Sequence, residues 1–201
     1  MLKIGIVGGS EISDTADLLA HLFHAKGLWA KTLVYADADS LTEFGAELSM
    51  AADKETADVS IEKIQPRPGS LIKNDYDVLI VNSLGADNAV AISKDGHDAA
   101  ESRMILLNSD EKNIFKALQN DLGSARVITY GLNSKACVTA SSISDATVQF
   151  CIQRALPTFS GEIMEQQEFT VKADTVNNDV SSILAAVTAA IVNGCDTNLS
   201  L

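Results

Sequence analysis

Apolar residues run almost unbroken from Leu2 to Val7 and stop at Gly8-Gly9-Ser10, the pattern of a strand buried on both faces that enters a tight turn. Leu18, Leu19, Leu22 and Phe23 then recur at helical spacing. Ser13 is placed to cap that helix, Glu11, Asp14 and Asp17 lie near its positive end, and Gly27 behind Lys26 supplies the stop. The chain therefore opens as strand, loop and helix. Lys31 to Tyr35 reads as a second strand, Leu41 to Ala52 as a helix, and Asp58 to Ile64 as a third strand closed by Pro66-Arg67-Pro68-Gly69. Asp77 to Asn82 and Arg103 to Asn108 are the clearest buried strands, and the polar, alanine-rich stretch from Ala89 to Ser102 between them is expected to be helical in part. Asp110 to Asn120 follows as a helix presenting Ile114, Phe115 and Leu118, and Arg126 to Tyr130 as another strand.

Beyond Tyr130 the rhythm changes. Ala136 to Ile143, Thr147 to Arg154 and Glu162 to Lys172 are apolar-polar runs separated by Ser-Asp, Pro and Gly turns with no helix between them, which predicts antiparallel strands. A last helix is expected from Asn178 to Val192, with alanines at 185, 186, 189 and 190 permitting close packing and Gly194 as its end. Together these elements predict one α/β domain over 1–201, a three-layer, mainly parallel sheet in 1–132 with a small antiparallel sheet and the final helix in 133–201.

Composition narrows the function. The chain carries 15 Lys plus Arg against 27 Asp plus Glu, a net charge of -12, which argues against a protein that binds nucleic acid or an anionic membrane surface. Cys137, Cys151 and Cys195 form no CxxC pair, and an odd count fits reduced thiols rather than zinc or a disulfide framework. The longest apolar run, Ile183 to Val192, is too short to span a bilayer, and the N-terminus lacks the charged and apolar regions of a signal peptide. A cytoplasmic protein is expected.

In open α/β sheets ligands gather at the carboxyl ends of the strands, which directs attention to the loops after Val7, Ile64, Asn82, Asn108 and Tyr130. The loop after Val7 sits where a phosphate-binding loop belongs, yet no Lys or Arg occurs between Lys3 and Lys26, and Glu11 and Asp14 bring carboxylates to the helix N-terminus instead. On the residues alone it reads as an ordinary capped turn. His21 and His24, with Asp17 one turn earlier, read as solvent-facing residues rather than metal ligands, and His97 as a surface loop residue. Asn82, Asp87, Asn88, Asn108 and Asp110 at strand ends, with Glu62 on the third strand, fit either an oxygen-rich magnesium set or turn formers and helix caps.

The order of these segments resembles the central, ATP-binding domain of the Mur ligases, the family of peptidoglycan-precursor ligases that includes folylpolyglutamate synthetase. IGIVGGSEISDTADLLAHLFHAKG is similar to the family's strand, GTNGKT-type loop and helix, with the helix kept and the loop not. VSIEKI and YDVLIVNSLGADN resemble the strand bearing the magnesium Glu and the strand leading to an Asp-His pair. ILLNSDE, ITYGLNSKACVTASSI and VNNDVSSILAAVTAAIVNG resemble the later segments. The resemblance implies a remnant nucleotide site at Gly8, Gly9, Ser10 and Asn178, and metal positions at Glu62 and Asp87. It also implies that Glu62 and Asp87 face the crevice near Asn178.

Departures from the pattern bear on activity. The loop Lys and the Thr after it are absent, Asn88 and Asn177 stand where the family has His, Ser181 replaces an Asn, and no Lys matches the one the family carbamylates. The length leaves no room for the family's flanking domains. The expectation is a degenerate, stand-alone relative, a pseudoenzyme with no catalytic residues and with ATP and magnesium binding weak or absent. Its role would be binding or assembly as a homodimer or with a protein partner, linked to cell-wall precursor metabolism; the alternative is a subunit of an ATP-dependent carboxylate-amine ligase completed by another chain. Tyr130 and the nearby Asn residues are further candidates for stacking and hydrogen bonding to a small ligand.

Overall fold

The computed structural model describes residues 1–35, 57–66, 71–72, 76–84, 91–92, 104–118, 120, 122 and 125–201. Each hydrophobic run becomes a strand of one nine-stranded sheet: β1 (Leu2–Val7), β2 (Ala30–Tyr35), β3 (Val59–Ile64), β5 (Val78–Val81), β7 (Met104–Asn108), β8 (Arg126–Tyr130), β9 (Val138–Ser144), β10 (Thr147–Ile152) and β13 (Gln167–Lys172). Their order across the sheet is β13-β10-β9-β8-β7-β5-β1-β3-β2. All pairs from β9 to β2 are parallel, and β9-β10-β13 are antiparallel, so the expected change of rhythm extends the same sheet. A separate antiparallel ribbon joins β11 (Leu156–Pro157) to β12 (Ile163–Met164). The stretch expected as one strand from Glu162 to Lys172 is thus divided between β12 and β13.

Two helices cover one face of the sheet. Helix α1 (Ile12–Ala25) and the last helix, here α3 (Val180–Val192), share a core with Ile4, Ile6, Ile61, Ile80, Leu106 and Ile128. The other face carries Val7, Ile64, Leu79, Val81, Ile105 and Leu107, against which α2 (Ile114–Leu118) packs Ile114 and Leu118. Strands with apolar residues on both faces are what a sheet covered on both sides requires. Helix α2 is shorter than the expected Asp110 to Asn120, because Asn108 and Asp110 engage in turn and loop hydrogen bonds before the helix can start.

Helix α1 begins earlier than its sequence signals: Glu11, not Ser13, occupies the N-cap position, and its side chain makes no capping bond. Gly27 ends the helix at φ +81°, in the left-handed region where a Cβ is costly. Ala91–Ile92 form a short strand, β6, that pairs in parallel with β4 (Leu71–Ile72), where partial helix was expected; the rest of that stretch and the helix expected from Leu41 to Ala52 lie outside the described residues. The three cysteines are free thiols. Among the described residues no helix is long and apolar enough to cross a membrane.

Helix α3 is buried on every side from Ser182 to Val192. Its alanines pack against α1 and the sheet, and the Val192 carbonyl accepts from the Phe159 backbone N–H. Just past its end, Lys26, which caps the C-terminus of α1, donates through its ammonium to the Gly194 carbonyl. The apolar surface of α3 is therefore covered within the chain itself.

Candidate functional site

The crevice lies where β1, β5, β7 and β8 end and the N-termini of α1 and α3 converge. After β1 the chain turns through Gly8 and Gly9. Side chains at these positions would collide with the Glu11 carboxylate: a Cβ on Gly8 would stand 2.6 Å from Glu11 Oε1, and one on Gly9 2.9 Å from Oε2. The two glycines thus leave a cradle that the chain fills with its own carboxylate. Gly9 N–H donates to Glu11 Oε1 at 2.9 Å and the Ser83 hydroxyl, from the end of β5, donates to the same oxygen at 2.5 Å. Gly9 N–H also reaches Ser83 Oγ at 3.2 Å.

Burial raises the Glu11 carboxyl pKa, but the bonds from Ser83, from Gly9 and from its own backbone N–H together outweigh that and hold it below the ordinary glutamate value. The ionised form is the one the loop binds. Ser10 is exposed beside it. A cation does approach from outside the loop: Lys63 of β3 donates to Ser13 Oγ at 3.4 Å, in the first turn of α1. No pattern in the loop itself marks it, since Lys63 is distant in sequence.

Beneath the cradle runs a buried chain of hydrogen bonds. Tyr130 at the end of β8 donates its hydroxyl to Asn82 Oδ1 at 2.5 Å, Asn82 donates through Nδ2 to Thr15 Oγ1 at 2.8 Å, and Thr15 donates to the Glu11 carbonyl at 3.2 Å. The Ser182 hydroxyl of α3 donates to the same carbonyl at 3.3 Å, which ties the two helix N-termini together. Burial first, and then the charges of Glu11 and Asp110, push the Tyr130 hydroxyl pKa well up. Tyr130 has no exposed surface, so it holds the crevice floor and offers no ring for a ligand to stack on. This corrects the stacking role expected from the sequence.

On the β7 side Asn108 donates to the Ser181 hydroxyl at 3.1 Å and accepts from the Asp110 N–H at 3.0 Å. The Asp110 carboxylate is taken up by the β8–β9 loop, accepting from Leu132 N–H at 2.6 Å, Asn133 N–H at 3.1 Å and Asn133 Nδ2 at 2.9 Å. Gly131 makes that approach possible, with φ +151° and a hypothetical Cβ only 2.8 Å from Asp110 Oδ2 and Ser109 Oγ. Asn178 stands just before α3, donating to the Asp174 carbonyl at 2.9 Å, while Asp179 caps the helix by accepting from Ser182 N–H at 3.1 Å.

Glu62 is elsewhere. It pairs in register with Gly5 and Leu33, inside β3, and alternates with Ile61 of the α1 side. Its carboxylate is buried on the opposite face from α3, accepting from the Tyr76 hydroxyl at 2.8 Å and 3.7 Å from the Lys3 ammonium, which lies 4.8 Å from the centre of the Tyr76 ring. Gly5 leaves room for that ring, because a Cβ there would fall 3.0 Å from it. The expectation that Glu62 faces the crevice beside Asn178 is therefore corrected: the period of two along β3 sends it to the other side. Asp87, its expected partner, lies outside the described residues. Among the described residues no group of three His, Cys, Asp or Glu side chains is placed to hold a metal ion. His21 and His24 are exposed, as expected.

The cradle does not fit the phosphates of ATP as it stands, since the Glu11 carboxylate occupies the Gly9 N–H.

No family model and no curated protein sequence matches the chain. Solved structures do match over nearly its whole length. A UDP-N-acetylmuramoyl-L-alanyl-D-glutamate–2,6-diaminopimelate ligase is similar over 98% of this chain and 44% of its own, with a TM-score of 0.62 and 14% identity. A UDP-N-acetylmuramoylalanyl-D-glutamyl-2,6-diaminopimelate–D-alanyl-D-alanyl ligase from Acinetobacter baumannii is similar over 96% of this chain and 43% of its own, with a TM-score of 0.60 and 10% identity. A bifunctional folylpolyglutamate synthase/dihydrofolate synthase, solved with manganese, AMPPNP and L-glutamate, is similar over 98% of this chain and 55% of its own, with a TM-score of 0.56 and 10% identity. The chain spans about half the length of the structures it matches. At these identities the likeness concerns the fold alone, and the fold is that of the part shared by Mur ligases and folylpolyglutamate synthase, as the segment order in the sequence implies.

Proposed function

We propose that this chain is a non-catalytic binding or assembly protein built on a Mur-ligase-like scaffold, with a degenerate phosphate loop and a role linked to cell-wall precursor metabolism. One observation carries the reading: the glycine loop after β1 holds the Glu11 carboxylate, at 2.9 Å from Gly9 N–H, in the position from which a phosphate-binding loop offers its backbone donors. The absence of any Lys or Arg between Lys3 and Lys26 supports it, as does the commitment of Asp110 to the β8–β9 loop. The link to cell-wall precursors rests on the two ligases named above and goes no further than the shared fold.

Lys63 favours a second reading, in which the chain is one part of an ATP-dependent carboxylate-amine ligase completed by another chain, because it brings a cation to the first turn of α1 without belonging to the loop. Calorimetric titration of the full chain with ATP and magnesium separates the two. The first reading expects no saturable heat with ATP at high micromolar concentration. Micromolar, magnesium-dependent binding would reject it in favour of the second.

A further inference from the structure

We propose that a cleft at the C-terminal end of α1, the end remote from the glycine loop, binds a small linear zwitterion, with an ammonium at one end, a carboxylate at the other and a short apolar chain between. The cleft has a volume of about 280 Å³ and two walls. One is the end of α1, with His21, Leu22 and Lys26; the other is the segment that leaves α3, with Cys195, Asp196, Asn198, Leu199 and Ser200. The second wall is fixed at both ends. Gly194, at φ +80°, turns the chain out of α3 while its N–H donates to the Ile191 carbonyl at 3.0 Å and the Cys195 N–H to the Ala190 carbonyl at 3.0 Å. At the far end Ser200 bridges in parallel to Lys172 of β13, and the Leu201 N–H donates to the Lys172 carbonyl at 2.7 Å. The cleft is therefore a built feature of the fold.

Its charges stand on different walls, Lys26 on α1 and Asp196 on the departing segment, and among the described residues no ion pair joins them. Both reach the Cys195 thiol in the cleft: burial raises its pKa most, Lys26 opposes that rise and Asp196 adds to it. The Lys26 ammonium donates to the Gly194 carbonyl and lies 3.5 Å from the Asn193 carbonyl, which leaves one of its three N–H groups for a ligand. A simple anion seated here would face the Asp196 carboxylate and the carbonyl ends of two helices, and a simple cation would face Lys26. A ligand carrying both charges answers both walls, its carboxylate toward Lys26 and His21 and its ammonium toward Asp196, Asn198 and Ser200. Because the charges face each other across the cleft, they favour a ligand with separated charges over one with adjacent charges. Leu22 and Cys195, 1% and 3% exposed, and the half-buried Leu199 give the apolar chain its floor. At about 30 Å³ per water the space equals roughly nine waters, which suits a ligand of about nine non-hydrogen atoms.

The test follows the backbone amides of the full chain by nitrogen-15 NMR during titration with ε-aminocaproate at constant ionic strength. The amides of Lys26, Cys195, Asp196 and Leu199 are expected to shift saturably with one midpoint, in the roughly millimolar range because each exposed ion pair contributes little. Hexanoate lacks the ammonium, hexylamine lacks the carboxylate, and leucine has the same atoms with its charges adjacent; each is expected to bind several-fold more weakly. Lys26→Ala and Asp196→Asn are each expected to weaken ε-aminocaproate several-fold. The absence of saturable shifts at these amides overturns the proposal, as does any of the three control compounds binding as well as ε-aminocaproate. Should Lys26→Ala fail to fold, Asp196→Asn, at an exposed side chain, decides alone, and an unchanged midpoint in that variant overturns the site. The cleft lies away from the glycine loop, so neither result bears on the non-catalytic reading.

Discussion

Asn82 and Tyr130 meet where both are shielded from water, with 2% and 0% of their surface exposed, and the Tyr130 hydroxyl is the donor to Asn82 Oδ1. Tyr130→Phe removes the hydroxyl that donates to Asn82 Oδ1 and leaves that oxygen buried with one donor fewer. A loss of about 1–3 kcal/mol is expected from an urea titration, the cost of an unsatisfied buried acceptor. A change under about 0.5 kcal/mol would mean that the acceptor finds another partner. Glu11 acts through its charge. Its folded pKa lies below its unfolded value because the bonds from Ser83, Gly9 and its own backbone outweigh the opposing effect of burial. Its ionisation therefore contributes stability above the unfolded carboxylate range, and that contribution disappears as pH falls through the folded pKa. Wild type is expected to exceed Glu11→Gln in urea midpoint at neutral pH, with the gap narrowing in acid; a gap independent of pH would contradict the charge argument.

At the scale of elements, α3 separates two kinds of stabilisation. Its N-terminus depends on one cap, Asp179 to Ser182 N–H, and Asp179→Ala should cost about 1 kcal/mol. Its body depends on burial, and Leu184→Ala, at a side chain 1% exposed in the core shared with α1, should cost about 2–5 kcal/mol because a cavity remains. Chemical denaturation of both variants checks the ranking, and a cap variant worse than the core variant would contradict it. Periodicity made α3, α1 and the buried strands legible, since continuous apolar runs such as DVLIVN and RMILLN leave few alternatives to a doubly covered sheet. Their ends were less so. Glu11 rather than Ser13 begins α1, because the Glu11 carboxylate turns back onto Gly9 and Ser83, a contact that local pattern does not reveal.

The site divides the same way. Gly8 and Gly9 could be picked out because a glycine pair behind a strand marks a close approach, and the absent loop lysine could be read from the chain directly. Ser83, Thr15, Ser182 and Lys63 could not, since each joins the loop from a distant segment and no local signal marks it. Glu62 was misplaced for a simple reason: the side of a strand on which a residue falls depends on register, and a motif match carries no register.

For the whole molecule, α3 lends no support to association, because the chain covers it. Exposed Leu132, Ile143 and Val176 remain, at 53%, 43% and 73%, around the ends of β8, β9 and β13. Association with itself or a protein partner is expected to use apolar surface of this kind, against the self-repulsion of a net charge of -12. Light scattering of the full chain at high micromolar concentration and moderate salt should then give a mass above that of the 21.3 kDa monomer, and a strict monomer would rule out self-association. The function assigned to the molecule turns on what fills its glycine loop. The most direct measurement is a pH titration of the Glu11 side-chain carboxyl by carbon-13 NMR with the Gly9 amide followed in parallel. The account expects Glu11 to titrate below an ordinary glutamate and the Gly9 amide shift to follow with the same midpoint. A Glu11 that titrates like a free glutamate while the Gly9 amide stays unchanged would contradict it.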